Sequence, residues 1–164
     1  MNYIARGGSE LLKEKYLVPG IQGTKVGALG MTEPFAGSDL KALRTTAKRD
    51  GDHYIVNGSK TFITNGYYGD FVVTAVKMER GISMLVIDLD APGVTKSKLD
   101  KLGLRSSDTA EIAFDNVKVP VENLVGEEGK GFYYMMDSLQ VERLSTAQYI
   151  IVGLQLILVI TLQY

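Results

Sequence analysis

The sequence has no cysteine and a single histidine among its 164 residues. Without thiols there is neither a disulfide nor thiolate chemistry, which argues against a secreted, disulfide-stapled scaffold. One histidine, His53, builds no His-rich metal cluster; just after the turn pair Asp50-Gly51 it reads as an exposed turn residue rather than a ligand. An excess of charge is missing too. With 18 basic and 19 acidic residues the formal net charge is −1 and the pI about 5.9, so no polybasic footprint marks nucleic acid as a partner. Met1–Gly8 has neither the apolar core of a secretory signal nor the Arg and Ser richness of a transit peptide. No internal repeat or low-complexity linker interrupts the chain, whose length suits one ordinary domain with a real core.

Charge is absent as well from the C-terminal stretch, residues 149–164, which is almost wholly apolar and broken only by Gly153, Gln155, Thr161 and Gln163. These 16 residues are fewer than the roughly 20 a spanning helix needs, and no basic residues flank them as membrane anchors. The expectation is a buried-type helix whose partner surface is missing, not a membrane anchor, and an aggregation hazard if nothing covers it.

What is present reads as a short helix, then strands, then a helix. Ser9 followed by Glu10 and later lysines has the signature of a capped helix through Tyr16, with Pro19-Gly20 ending it. From Lys25 on, apolar runs alternate with turn pairs. Asp50-Gly51 predicts a hairpin between residues 45–49 and 54–56, and Asn57-Gly58 the next corner. Residues 71–77 and 83–88 form a second hairpin over a 78–81 link, and Pro92-Gly93 leads into a run over 94–99. In residues 111–120 the large apolar side chains fall at 112 and 114, then at 117 and 119, so the phase slips between Asp115 and Asn116 and predicts a bulge. About seven such strands argue for a β-barrel or β-sandwich.

Residues 126–131 (GEEGKG) lack the GxxxxGK[ST] spacing of a phosphate loop. After them Phe132, Met135, Met136 and Leu139 make a helical stripe. Glu142 and Arg143 continue it, which aims an acid at the buried side. A carboxylate facing an apolar site has a raised pKa and can act as a general base near neutral pH; a surface glutamate or a structural ion pair fits the same residues.

The densest cluster of special residues is Gly27–Asp39, GALGMTEPFAGSD. Pro34 fixes its own φ and pushes Glu33 toward extended backbone, and Gly37 permits close approach. Thr32 and Ser38 add hydroxyls beside backbone N–H groups, which suits a flat, polar-edged cofactor or a carbonyl. The composition equally describes a polar loop closing a hairpin.

Thr32–Asp39 resembles the TEPxAGSD flavin-binding signature of the acyl-CoA dehydrogenase family, and Asn57–Gly66, NGSKTFITNG, is similar to the family's NGxKxWITNG segment. The similarity runs from about Gly8 to Ala147. It implies a fragment of a three-domain fold, α+β overall: residues 1–22 as the tail of a helical N-terminal domain, 23–125 as a flavin-binding, mainly β middle domain, and 126–164 as the start of a helical C-terminal domain, atypical after 148. The implied cofactor is FAD, lined by Leu29, Gly30, Met31, Thr32, Gly37, Ser38, Phe62, Ile63 and Thr64, with the Thr32 and Thr64 hydroxyls near its polar edge. Phe62 stands where the family usually carries tryptophan; it keeps a flat apolar face and loses the indole N–H.

Leu139–Leu144, LQVERL, is similar to the segment that holds the catalytic glutamate in the isovaleryl and long-chain branches, which makes Glu142 the implied base. The implied reaction converts a fatty or branched acyl-CoA to trans-2-enoyl-CoA. Ser38, Arg80, Gly81, Tyr133, Gln140, Val141, Glu142 and Arg143 match substrate-contact positions. On a regular helix Tyr133 stands half a turn from Glu142, so both meet one ligand only if the helix starts later or the ligand wraps its end. Lys98, Lys101 and Arg105 suit CoA phosphates or simply a solvated basic face. The family further implies electron-transfer flavoprotein as electron acceptor, a homotetramer, and a mitochondrial-matrix or bacterial-cytoplasmic location. The alternative is a non-catalytic flavin or acyl-CoA binding module, or an inactive truncated product, since the family's later helices are not in this sequence.

Overall fold

Alternation between turn pairs gives the chain eight strands: β1 (Gly27–Gly30), β2 (Thr46–Asp50), β3 (His53–Thr64), β4 (Phe71–Met78), β5 (Gly81–Asp88), β6 (Val94–Lys98), β7 (Thr109–Pro120) and β8 (Leu124–Val125). The computed structural model describes all residues, Met1–Tyr164, in two units, Met1–Phe132 and Tyr133–Tyr164. In the first unit the sheet order is β6-β7-β3-β2-β4-β5-β8, with β1 beside β4. β1 runs parallel to β4 over Gly27–Gly30, and β2 touches β4 only at Thr46 opposite Lys77, while β5 pairs along the whole of β4. Two strands thus share one edge of β4, and the gap between them is where the chain from Met31 to Thr45 crosses.

The core is built from one face of these strands, including Val56, Val72, Val76, Leu85, Ile87, Ile112, Phe114 and Val117. β4 is buried on both faces, as its near-continuous apolar run requires. Its odd-numbered face meets the N-terminal helices, where the rings of Tyr16 and Phe71 lie 4.8 Å apart. The Tyr16 hydroxyl donates to Asp88 Oδ2 (3.1 Å) and accepts from Asn123 Nδ2 (3.3 Å), so this helical segment is fastened to the sheet by polar as well as apolar contacts. That segment comprises α1 (Asn2–Gly7), α2 (Glu10–Leu12) capped by Ser9, a widened π turn over Lys13–Leu17, and α3 (Val18–Ile21). Pro19-Gly20 does not stop it: Val18 stays helical before the proline, and the turn closes later, at left-handed Gly23.

The Asp50-Gly51 and Met78–Gly81 hairpins form as the turn chemistry predicts. Asn57-Gly58 is not a corner. β3 runs straight through it, because Asn57 faces the phase slip in β7 and the two irregularities absorb each other: the register jumps between Val56↔Val117 and Gly58↔Phe114. Asn116 takes a left-handed φ of 50° at this bulge. Asn57 Oδ1 accepts from Asn116 N–H (2.9 Å) and Asn57 Nδ2 donates to Asn116 Oδ1 (3.2 Å). Gly58 is required because a Cβ there would lie 2.6 Å from Thr45 Cα.

The helix α4 (Gly131–Gln163) is 33 residues long. The apolar tail is therefore not a separate short helix; it is the second half of a continuous one, which by length and composition is long and apolar enough to cross a membrane. It is not buried either, since every residue from Gln140 to Tyr164 is exposed.

Candidate functional site

The two motifs meet in the first unit. After β1 the chain turns at Glu33–Ala36, closed by Glu33 N–H on Ala36 O (2.8 Å) and Ala36 N–H on Glu33 O (3.1 Å), with Pro34 and Phe35 at the tip. Beside it β3 is bulged between Lys60 and Ile63. Thr61 N–H donates to Thr32 O (2.9 Å), and Asn65 Nδ2 donates to Gly27 O (3.4 Å). The second motif is thereby tied to the Gly27–Asp39 stretch at its middle and near its end, and Tyr67 N–H on Asp108 Oδ2 (2.7 Å) holds the turn that follows.

The β3 bulge has a clear consequence for Phe62. Its φ is 60°, a conformation that L residues other than Asn, Asp and Gly rarely adopt. Bulges re-aim side chains, and here the ring is turned out of the sheet and left 69% exposed. Phe35, at the neighbouring tip, is 74% exposed beneath the Arg44 guanidinium, 4.8 Å from the ring centre. Thr64 and Ser38 are exposed and Thr32 partly so. Leu29 and Met31 are half-buried. Ile63 and Gly30 are buried, Ile63 in the apolar core. A Cβ on Gly30 would come within 3.1 Å of Thr74 Oγ1 and Val72 Cγ2, so this glycine serves the packing of β1 on the sheet. Around Gly37 a Cβ would meet nothing within 4 Å.

Sequence reasoning missed the pair that joins the motifs from below. Lys60 Nζ donates to Glu33 Oε1 (2.7 Å) and to Met31 O (3.2 Å). The two side chains are 0% and 4% exposed. Glu33 also accepts the N–H groups of Arg44 (2.6 Å) and Thr45 (3.1 Å). Burial by itself would push the Glu33 carboxyl up; the bonds from Lys60, Thr45 and Arg44 outweigh it and hold it below the usual carboxylate range. Burial pushes the Lys60 ammonium down, against the Glu33 bond.

Of the positions in the first unit that the resemblance implies as substrate contacts, Ser38 lies past the turn, whereas Arg80 lies in the β4–β5 turn and Gly81 opens β5. Arg80 borders a cleft of about 560 Å³ with Lys48, Arg49, Lys77, Glu79 and Glu128. This cationic surplus suits a polyanion, and Lys48, Arg49 and Lys77 were not foreseen. In the second unit Gln140, Val141, Glu142 and Arg143 occupy one turn of α4. Glu142 is exposed rather than aimed at a buried side, because no residue from Gln140 on is covered. Tyr133 lies on the same regular helix, so it stands on the opposite side from Glu142, about 13 Å along the axis. The helix does not start later, which leaves a ligand that wraps its end as the way to touch both.

Residues 28–117 match the family described as acyl-CoA dehydrogenase, middle domain. The mitochondrial isovaleryl-CoA dehydrogenase of Pongo abelii is 44% identical over 155 residues, covering 90% of this chain and 37% of that protein. The mitochondrial long-chain specific acyl-CoA dehydrogenase of Sus scrofa is 45% identical over 156 residues, with 90% and 36% covered. The crystal structure of an acyl-CoA dehydrogenase from Geobacillus kaustophilus superposes with a TM-score of 0.84 at 54% identity, covering 87% of this chain and 40% of that one. The chain thus spans a little over a third of the length of the curated relatives it matches. Since the matched stretch takes in both motifs, the bulged strand that carries the second and the paired Asn57 and Asn116, the chain belongs to the acyl-CoA dehydrogenase family.

Proposed function

We propose that this chain is part of an FAD-dependent dehydrogenase that oxidises a fatty or branched-chain acyl-CoA to its trans-2-enoyl-CoA. Residues 1–132 supply one wall of the flavin site. The supporting observation is the junction at Thr61 N–H and Thr32 O (2.9 Å), which sets a strained, outward-turned Phe62 beside a hydroxyl-bearing turn. The residues fit the cofactor: an exposed flat ring offers a stacking face, and Thr32, Ser38 and Thr64 offer polar groups at its margin. Ile63 and Gly30, being buried, would contribute backbone only; Leu29, Met31 and Gly37 complete the lining. FAD, when bound, supplies the acceptor for the β-hydrogen as hydride.

Glu142 is the base that takes the proton from the acyl α-carbon. Ser38, Arg80, Gly81, Tyr133, Gln140, Val141 and Arg143 face the thioester substrate, with the cationic cleft at Arg80 suited to its phosphates. In this reading residues 1–22, 23–125 and 126–164 belong to successive domains of the whole protein. That protein is a homotetramer of the mitochondrial matrix or bacterial cytoplasm that passes electrons to electron-transfer flavoprotein.

A second reading applies to the 164 residues alone. Glu142 and the helix from Gln140 on are exposed, so by themselves they enclose no substrate, and the chain behaves as a weak flavin-binding module. Titration with FAD under anaerobic conditions, followed by an acyl-CoA, separates the two. The expected result is weak binding, seen as altered flavin fluorescence, with little or no bleaching. Strong bleaching overturns the binding-module reading, and no flavin binding at any concentration overturns the flavin site itself.

A further inference from the structure

Glu33 and Lys60 are not exposed to any ligand, yet they control how the first motif faces outward. A trans peptide points its C=O and its N–H in opposite directions, and the chain has no cis bond. Lys60 Nζ holds the Met31 carbonyl (3.2 Å), so the N–H of the same peptide, that of Thr32, is turned away from Lys60. The next carbonyl, that of Thr32, is held by Thr61 N–H (2.9 Å). Two successive peptide planes are thereby locked. Glu33 completes the lock, since its carboxylate receives Lys60 and the N–H groups of Arg44 and Thr45, the far end of the crossing segment.

We propose that the buried Glu33–Lys60 pair is a positioning device for the cofactor: by orienting the Met31–Thr32 peptide it aims the Thr32 N–H at the flavin, and neither side chain touches the flavin. This rests on the flavin reading above. A buried ion pair is a costly way to hold a fold, because apolar residues of similar volume often serve stability as well. What an apolar pair lacks is the directed grip on the Met31 carbonyl. The pair therefore contributes more to the orientation of one amide than to the folding of the sheet.

The test uses the full chain with Glu33→Gln and Lys60→Met combined, so that neither charge is stranded and the substituted amide side chain still accepts a backbone N–H. The expected outcome is a cooperatively unfolding protein whose FAD dissociation constant rises about tenfold or more, with bound-flavin absorption shifted toward that of free flavin. A folded double variant with unchanged affinity and spectrum overturns the proposal. A second measurement needs no variant: hydrogen exchange in the wild-type chain with saturating FAD. Protection of the Thr32 amide is expected. Protection at residues 62–64 without any at Thr32 overturns the positioning role while leaving the flavin site standing, whereas wild type that binds no FAD removes the flavin reading itself.

Discussion

At the scale of single residues, the site depends on two arrangements that cost stability, and each makes a prediction. Phe62 at φ 60° carries left-handed strain of about 1 kcal/mol or more, and its mostly exposed ring returns little burial. Phe62→Gly relieves the strain but adds chain entropy to the unfolded state, so denaturant unfolding is expected to show a change within about 1 kcal/mol of zero, while FAD affinity falls. Unchanged affinity in Phe62→Gly would show that the exposed ring is no stacking face.

The Glu33–Lys60 pair is the second arrangement. Lys60→Ala alone strands a buried carboxylate and is expected to cost about 3–5 kcal/mol, read as a lower urea midpoint. The Glu33 carboxyl is held below its unfolded value near 4.5. Its stabilisation is therefore complete above that pH and is lost as pH falls through the lower folded-state value. Urea midpoints measured from neutral pH downward should fall more steeply for wild type than for the Glu33→Gln, Lys60→Met variant; parallel curves would show that Glu33 is not depressed. Neither residue was legible in the sequence as a pair. The two are 27 positions apart, and nothing in a linear pattern distinguishes a charge turned into the sheet from one turned out.

At the scale of elements, turn chemistry carried most of what could be read. Asp50-Gly51 and the short 78–81 link set hairpins whose strands do pair as their alternation requires, and the one-residue slip at Asp115-Asn116 marked a real bulge. Asn57-Gly58 misled because the dipeptide serves a hairpin corner and a bulge equally well. Only the partner strand decides, and here the slip in β7 needed an opposite number. The reciprocal Asn57–Asn116 bonds then act as the clasp of the bulge. Asn57→Ala leaves the Asn116 N–H and side chain without that partner at a partly exposed edge, and a loss of about 1–2 kcal/mol is expected. A thermal midpoint unchanged in Asn57→Ala would show that Gly58 and the register alone hold the bulge. Parallel pairing of β1 with β4 could not be read at all, since a four-residue strand of Gly, Ala and Leu has neither alternation nor a turn to fix its register.

For the whole molecule, the apolar tail dominates behaviour in water. From Leu144 to Tyr164 no side chain is charged, and in α4 all of these residues are exposed. Apolar residues fall on every side of the helix rather than along one stripe, so no rotation hides them, and solvated apolar surface of this extent drives association. The sequence reading of a tail that lacks its partner surface and is hazardous while uncovered rests on the same residues, all of them exposed. Purified in plain buffer, the chain is expected to form concentration-dependent assemblies by light scattering, and mild non-ionic detergent to disperse them. Leu156→Glu with Ile160→Lys, an i,i+4 pair on exposed helix, should restore a single small species without detergent. Because both positions are solvent-exposed, the change removes no packing, and a monodisperse wild-type chain at high concentration would show that the tail is shielded in solution by its own refolding.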